Sequence, residues 1–421
     1  MYFIYNLLLI VLFIAFSWVI LIALAIKPKF RAGFFEKMGF YKNVSANDKK
    51  NIIVHAVSVG EVIAVEKFVK TLRENFPEEN IILTTVTKTG NGVANNKLGN
   101  VVDKIIYFPF DFFFSVHSFI RNTKPDMVII AETEIWPYFS KALKNKNIPI
   151  LIINGRISPH SHQGYKKFSW FFKRVLSNYA RILMQSEGDR ERIVDVGAPD
   201  SITNVMGNLK FDIANNLTEQ NISDLKDEFK AGNNPILMVG STHKGEDEIL
   251  LETYEKLLKI MPDLKMILAP RHPERLKDVE NLITSMNFSY GKRSLKDTFE
   301  NNQVILLDTM GELAKLYSIS KVAFVGGSFS GTGGHNPLEA AIYNVPVVSG
   351  FSTFNFKDIY NYLTTDEAAF VVNNGNELFE IMLKLLKDDE FYNKTAQNCN
   401  KVFEKNSGAI NNAIKVIKEF I

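Results

Sequence analysis

The stretch VHAVSVGE at residues 54–61 runs from β-forming residues through Gly60 onto Glu61, at the mouth of a helical pattern. A carboxylate at a strand-to-helix turn fits two readings: it takes a proton from a hydroxyl, or it complements the positive end of the helix dipole. The dipole also lowers its pKa and weakens it as a base, unless burial compensates. A second acid, Glu132, closes the apolar run MVIIA, where it either opens toward a ligand or pairs with a base such as Arg156. LKMILAPRHPER sets Arg271 and His272 just past another strand pattern, and LLDTMGEL sets Met310, Gly311 and Glu312 past the next. Arginine grips phosphate with a planar fork, the alternative being a surface ion pair with Glu274. In VGGSFSGTGGHNPLEAA, residues 325–341, a strand runs into glycines, and Asn336 and Pro337 then open a helix. Such backbone forms a phosphate cradle, and Glu339 one turn inside suits a ribose diol as well as the helix dipole.

These residues need strands that end where the chemistry is. Short apolar runs alternate with helical patterns and no long period repeats, which is α/β organisation. Strands are expected at 51–57, 80–86, 104–110, 127–132, 148–155 and 180–186, then at 235–241, 264–270, 303–308, 321–327 and 345–350. The polar, Asn-rich segment 213–234 reads as a linker region between an N-terminal domain, 51–212, and a C-terminal domain, 235–421. The expected architecture is two Rossmann-like parallel-sheet domains facing across a cleft, with ligands at the carboxyl ends of the strands. A chain of 421 residues with 46% hydrophobic content supports two such cores. A net charge of +3 and the lack of a nucleic-acid motif argue against a nucleic-acid partner. The single cysteine, Cys399, excludes an intrachain disulfide, and the seven histidines show no metal-ligand spacing.

Residues 1–26 carry no charge, and Leu7–Ile26 is an apolar run broken only by Ser17, long enough to span a bilayer. It lacks the basic start and small-residue cleavage site of a signal peptide. The segment 27–50 that follows carries Lys27, Lys29, Arg31, Lys37 and Lys42 against Glu36, so a single-pass anchor with the body in the cytoplasm is expected. Every motif lies after residue 50, which gives the anchor a role in location rather than chemistry.

SVGE, AETEIWP (131–137), NGRIS (154–158), GNLKFD (207–212), GSTHKGE (240–246), APRHPER (269–275) and GGHNPLEAA (333–341) together resemble the 3-deoxy-D-manno-octulosonic acid (Kdo) transferases. The resemblance covers nearly the whole chain. It implies a GT-B glycosyltransferase fold and inverting transfer of Kdo from CMP-Kdo to a lipid A precursor, lipid IVA, with release of CMP in lipopolysaccharide core biosynthesis at the bacterial inner membrane. It places the general base on Glu61 and transition-state stabilisation on Glu132 and Lys210. Donor contacts are implied at Pro270, Arg271, Met310, Gly311, Glu312, Asn336, Pro337, Leu338 and Glu339. Lys210 would then neutralise charge on the departing phosphate or on the Kdo carboxylate.

A phosphorylated, acylated acceptor needs a surface of its own, and GYKKFSWFFKRV (164–175) interleaves Phe168, Trp170 and Phe171 with Lys166, Lys167, Lys173 and Arg174. Aromatics enter a membrane interface while cations meet phosphates of the acceptor or of inner-membrane lipids. The aromatic run 108–119 serves either that surface or the core. No cofactor or metal is required, since cations and helix amides can carry a leaving phosphate. Two rival readings remain: a sugar-nucleotide epimerase of similar two-domain fold, and a non-catalytic membrane-tethered nucleotide-binding protein.

Overall fold

The computed structural model describes residues 1–27, 31–42, 44, 48–213 and 217–421. Lys29 of the basic flank and residues 214–216 of the expected linker lie outside the described residues. The chain divides into two compact units, Met1–Asp212 with Asn406–Ile421, and Ile213–Lys405.

Unit 1 holds seven parallel strands in the order β3-β2-β1-β4-β5-β6-β7. They are β1 Asn51–His55, β2 Asn80–Thr85, β3 Lys104–Tyr107, β4 Met127–Ala131, β5 Ile150–Gly155, β6 Arg181–Met184 and β7 Thr203–Val205. Alternate residues feed opposite cores: Ile52 and Val54 pack with one, Ile53 with the other. Unit 2 repeats the plan in the order β10-β11-β9-β8-β12-β13-β14. Its strands are β8 Ile236–Thr242, β9 Lys265–Pro270, β10 Tyr290–Lys292, β11 Val304–Leu306, β12 Val322–Val325, β13 Val347–Gly350 and β14 Ala369–Val372. All eleven expected strands form, with ends shifted by a few residues. The three additional ones, β7, β10 and β14, are edge strands of three or four residues. A short edge strand has one partner and a half-wet face, so β7 and β10 show no continuous apolar run; β14, AFVV, is apolar but only four residues long.

The apolar N-terminal run is not one helix. It breaks at Phe16 into α1, Tyr2–Ala15, and α2, Ser17–Ile26, bent by 57°. Among the described residues no single helix is long and apolar enough to cross a membrane, though the bent pair together meets the length and composition. The single-pass span over Leu7–Ile26 is therefore corrected. Hydropathy missed the polar fastenings of the first turns. Tyr5 donates to Asp111 at 3.0 Å, Phe113 N–H donates to Asn6 Oδ1 at 2.7 Å, and Tyr2 donates to the Arg174 carbonyl at 3.1 Å. Asp111 also accepts Tyr138 N–H and Phe139 N–H at 2.9 and 2.7 Å, so one carboxylate ties α1 to the start of helix Pro137–Lys144. The outer faces keep Phe3, Leu7, Leu8, Trp18 and Leu21 exposed.

The domain boundaries also differ from the sequence pattern. Residues 217–234 belong to unit 2, where helix Glu219–Glu228 buries Leu225. The chain end returns to unit 1, because helix Ala409–Ile417 buries Ala409, Ile410, Ala413, Ile414 and Ile417 in the core of the first sheet. Asp212 fixes that return by accepting Gly408 N–H and Ile410 N–H at the helix start. Loss of a side-chain helix cap costs about 1 kcal/mol. Asp212→Ala is expected to lower urea stability by about that amount. Deletion of residues 406–421 uncovers the apolar face altogether and should abolish cooperative unfolding of unit 1, read by circular dichroism.

Candidate active site

In each unit the order of strands reverses once, between β1 and β4 and between β8 and β12. Helices leave in opposite directions there, opening a crevice at the carboxyl ends of the strands. Glu61 follows β1 and Glu132 follows β4, so the first switch point carries both predicted acids.

Glu61 sits in the first turn of the helix Val59–Asn75, whose apolar stripe Val62, Val65, Phe68, Val69 and Leu72 is fully buried. Ser58 is its N-cap, accepting Glu61 N–H at 3.5 Å. The Glu61 carboxylate in turn accepts Val57 N–H at 2.7 Å and the Ser58 hydroxyl at 3.0 Å. Ser58 is thus the helix cap, while Glu61 reaches back past it to Val57 N–H, so one side chain both supports the helix start and stands at the strand-to-helix turn. Burial nevertheless pushes its pKa up to about 7; Glu132 and Glu134 add to the rise and the two hydrogen bonds oppose it. Burial outweighs the caps, and the group is poised as a base near neutrality.

Glu132 leaves β4 with φ 58°, a left-handed conformation that a side chain adopts at a cost of about 1–2 kcal/mol. Its N–H is held by the Ile153 carbonyl at 2.9 Å, and Thr133 next to it exchanges hydrogen bonds with the Arg156 backbone. Burial and Glu132 raise the pKa of Glu134, a third acid here that the sequence reading passed over. Among the described residues no group of three His, Cys, Asp or Glu side chains is arranged to hold a metal ion.

Lys210 is positioned by buried amides. Asn154 Oδ1 accepts Leu209 N–H at 3.0 Å, Gln185 donates to the Asn154 carbonyl at 3.1 Å and accepts Asn208 Nδ2 at 3.0 Å, and Asn208 Oδ1 caps Lys210 N–H at 3.0 Å. NGR and GNLK are thus two ends of one hydrogen-bonded relay. Gln185, in a plain strand end, carried no sequence signal.

Unit 2 assembles the other residues at its own switch point, with one correction. The glycine-rich turn after β12 does present amides to an anion, but the anion is Glu246. Its buried carboxylate accepts Gly327 N–H at 2.7 Å, Ser328 and Phe329 N–H at 2.8 Å each, and His243 N–H at 2.8 Å. Gly327, at φ 72°, makes the turn possible. The helix expected after Pro337 is one turn, Leu338–Ala341, with Asn336 Oδ1 accepting Leu338 N–H at 3.1 Å.

Around this turn gather His243, His335 and Arg271. The two histidine Nε2 atoms lie 2.9 Å apart with their rings stacked, and His272 meets His243 edge-on. Burial, then the Arg271 charge, pulls His335 down to about 4, so it is neutral at physiological pH. Arg271 N–H is held by the Thr242 carbonyl at 3.0 Å. Its guanidinium is exposed and has no ion pair among the described residues, Arg275 being the one engaged with buried Asp247. Glu339 lies near Arg271, and burial raises its pKa. Met310 is exposed beside Gly311 at the end of β11. Glu312 is the exception: Arg293 grips its carboxylate at 3.0 and 3.2 Å, Lys315 joins at 2.9 Å, and its pKa is drawn down to about 2. That carboxylate fastens the turn, beside the exposed side chain of Met310.

The N-terminal half of the chain, residues 32–213, matches the family model described as 3-deoxy-D-manno-octulosonic-acid transferase (kdotransferase). The 3-deoxy-D-manno-octulosonic acid transferase of Haemophilus influenzae is 36% identical over 397 residues, 94% of this chain and 92% of that one. The chain belongs to the 3-deoxy-D-manno-octulosonic acid transferase family. It is a glycosyltransferase. Among solved structures, the C-terminal CMP-Kdo binding domain of WaaA from Acinetobacter baumannii is 32% identical, covering 44% of this chain and 96% of that one at a TM-score of 0.42. A UDP-GlcNAc 2-epimerase from Neisseria meningitidis covers 88% of this chain and 99% of its own at a TM-score of 0.55 and 16% identity, a likeness of fold alone.

In this member of the family the basic aromatic stretch is split by its own helix. Phe168 and Trp170 are exposed, as are Lys167, Lys173 and Arg174. Phe171, expected on that surface, turns inward against Tyr5 and Phe172, because one face of helix Ser169–Leu176 must cover the core. Lys166 is paired with Asp195 at 2.8 Å. In the run 108–119, Phe108, Phe112 and Phe119 are core, and Phe113 and Phe114 are exposed.

Two outcomes follow from this geometry. Glu246→Gln should be no rescue of Glu246→Ala, since an NH₂ group facing backbone N–H donors cannot replace a carboxylate oxygen. Each variant is expected to lose about 3 kcal/mol, the scale for an unpaired buried network, measured by thermal melting. Replacing Lys167, Lys173 and Arg174 by Gln should weaken sedimentation with anionic vesicles by about 1 kcal/mol per charge, with Lys166→Gln smaller because Asp195 already neutralises it.

Proposed function

We propose that unit 2 binds CMP-Kdo and that unit 1 activates a hydroxyl of a lipid A precursor, lipid IVA, for lipopolysaccharide core biosynthesis. What carries the reading is Glu61, a carboxylate with a pKa near 7 at the switch point of the first sheet. Glu61 takes the acceptor proton, the freed oxygen bonds to the ketosidic carbon of Kdo, and the bond from that carbon to the CMP phosphate oxygen breaks with its electron pair leaving on phosphate. Attack opposite the departing CMP inverts the configuration. Lys210 offsets charge developing on the phosphate or the Kdo carboxylate, and Glu132 beside Glu61 adds to the field at the oxocarbenium-like carbon. Arg271 and the turns at Pro270, Met310–Gly311 and Asn336–Glu339 are the donor contacts. The mechanism invokes no metal.

The location proposed is the inner face of the bacterial inner membrane, with the bent pair α1–α2 lying on the bilayer. Its exposed Phe3, Leu7, Trp18 and Leu21, the basic residues Lys27 and Arg31, and the Phe168–Trp170 surface support this. An epimerase would share the fold, and the family relationship favours transfer.

The purified chain incubated with CMP-Kdo and tetraacylated disaccharide bisphosphate should give a Kdo-bearing lipid by mass spectrometry. Epimerised product from UDP-N-acetylglucosamine alone would sink the reading. The base must be ionised, so kcat/KM should rise about tenfold per pH unit below about 7 and level off above it. Glu61→Gln should lose roughly 10²- to 10⁴-fold in turnover at unchanged donor affinity. Because burial holds the folded pKa above the ordinary glutamate value of 4.5, ionised Glu61 lowers stability as pH rises from 4.5 through 7. Glu61→Gln should therefore melt no lower than wild type at pH 8, whereas a purely capping role predicts a loss of about 0.3–1 kcal/mol.

A further inference from the structure

Unit 1 contains a cavity of about 840 Å³ that no motif announced. Its apolar wall is made by Phe13 of α1, Ala23 and Leu24 of α2, and Phe34, Phe110 and Phe112 of the domain. The size lies within the ~300–1,000 Å³ typical of small-ligand sites. The wall is fastened rather than adrift. Tyr5 and Asn6 hold α1, Phe13 packs edge-on against Phe112 at 5.3 Å, and the Arg31 guanidinium donates to the carbonyls of Leu24 and Ala25 at the end of α2. The bend at Phe16 is what lets both helices contribute, since Phe13 precedes it and Ala23 follows it.

The cavity's polar edge is the segment Val86–Thr89, and that edge is joined to the catalytic base through one residue. Val86 N–H and Thr87 N–H both donate to the Val57 carbonyl at 3.2 Å, while Val57 N–H donates to Glu61 at 2.7 Å. A ligand whose hydroxyl reaches Glu61 therefore has this cavity as its neighbour. The edge is also cationic. Lys37 lines it, and Lys88 stands in the first turn of the helix Lys88–Leu98 with no ion pair among the described residues. A cation at that end opposes the helix dipole, so folding gains nothing from it. An apolar pocket with a cationic rim matches an acyl chain joined to an anionic head.

We infer that this cavity holds one acyl chain of the phosphorylated glycolipid acceptor, with Lys37 and Lys88 facing its anionic head and α1–α2 serving as a wall of the acceptor site. The inference rests on the acceptor reading above. It gives residues 1–26 a part in substrate binding beyond location.

The test uses the full chain in detergent and a tetraacylated disaccharide bisphosphate bearing a diazirine on an acyl chain. Irradiation should label peptides containing Phe13, Ala23–Leu24, Phe34–Lys37 or Phe110–Phe112, and unmodified acceptor should compete while phosphatidylglycerol does not. Labelling confined to other surfaces, or equal competition by phosphatidylglycerol, overturns the assignment. Ala23→Trp, which fills the cavity, should raise KM for the tetraacylated acceptor about tenfold and leave KM for the deacylated bisphosphate and the affinity for CMP-Kdo unchanged. An unchanged KM for the acylated acceptor, in a variant that melts and binds donor as wild type does, also overturns it. If Ala23→Trp does not fold, the labelling result decides. Failure of the wild-type chain to transfer Kdo to either acceptor is separate, and removes the acceptor reading instead.

Discussion

Two parallel sheets, each covered on both faces, leave few places where a charge can stand. Strands such as Asn51–His55 and Met127–Ala131 are buried along their whole length, so polar groups are pressed to the ends of strands. The single reversal of strand order in each sheet then selects which ends matter, because only there do the flanking helices part. Glu61 and Glu132 in unit 1, and His243, Arg271 and the Gly327 turn in unit 2, occupy the ends that this constraint leaves open.

The same constraint explains the strain found there. Glu132, Asn154 and Ser241 follow or close strands with φ of 58°, 54° and 58°, conformations that side chains adopt reluctantly. Glu132 turns the chain out of β4, whereas Asn154 and Ser241 sit where the pairing register shifts near the ends of β5 and β8. The neighbouring backbone is held by buried polar groups: Asn154, Gln185 and Asn208 in unit 1, Glu246 in unit 2. Such networks are costly when incomplete, and Asn154 Nδ2 is the one amide group in them left buried without a partner among the described residues.

Much of the architecture was legible in the residues. Apolar runs located eleven of the fourteen strands, and the seven quoted motifs located both switch points. Three of the four edge strands were not: Thr203–Val205 and Tyr290–Lys292 lack the both-sided burial that writes an apolar run, and AFVV at Ala369–Val372 is an apolar run too short to stand out. The return of helix Ala409–Ile417 to unit 1 was also invisible. Its amphipathic pattern states that one face is buried and is silent about which sheet buries it.

The site was legible as residue types at strand ends, and less so as states. The sequence by itself determined that an acid ends the first strand-to-helix turn, that amides cluster after β12, and that the first 26 residues are apolar, because these are properties of local order and hydrophobicity. Only the tertiary structure decided that burial lifts Glu61 to about 7 despite its cap, and that Glu246 rather than a ligand fills the Gly327 turn. It also decided that Arg293 claims Glu312, and that Tyr5 and Asn6 fasten α1 to the domain. Each of these depends on a partner far away in the chain or on how much water a group loses on folding, and neither is written in local sequence.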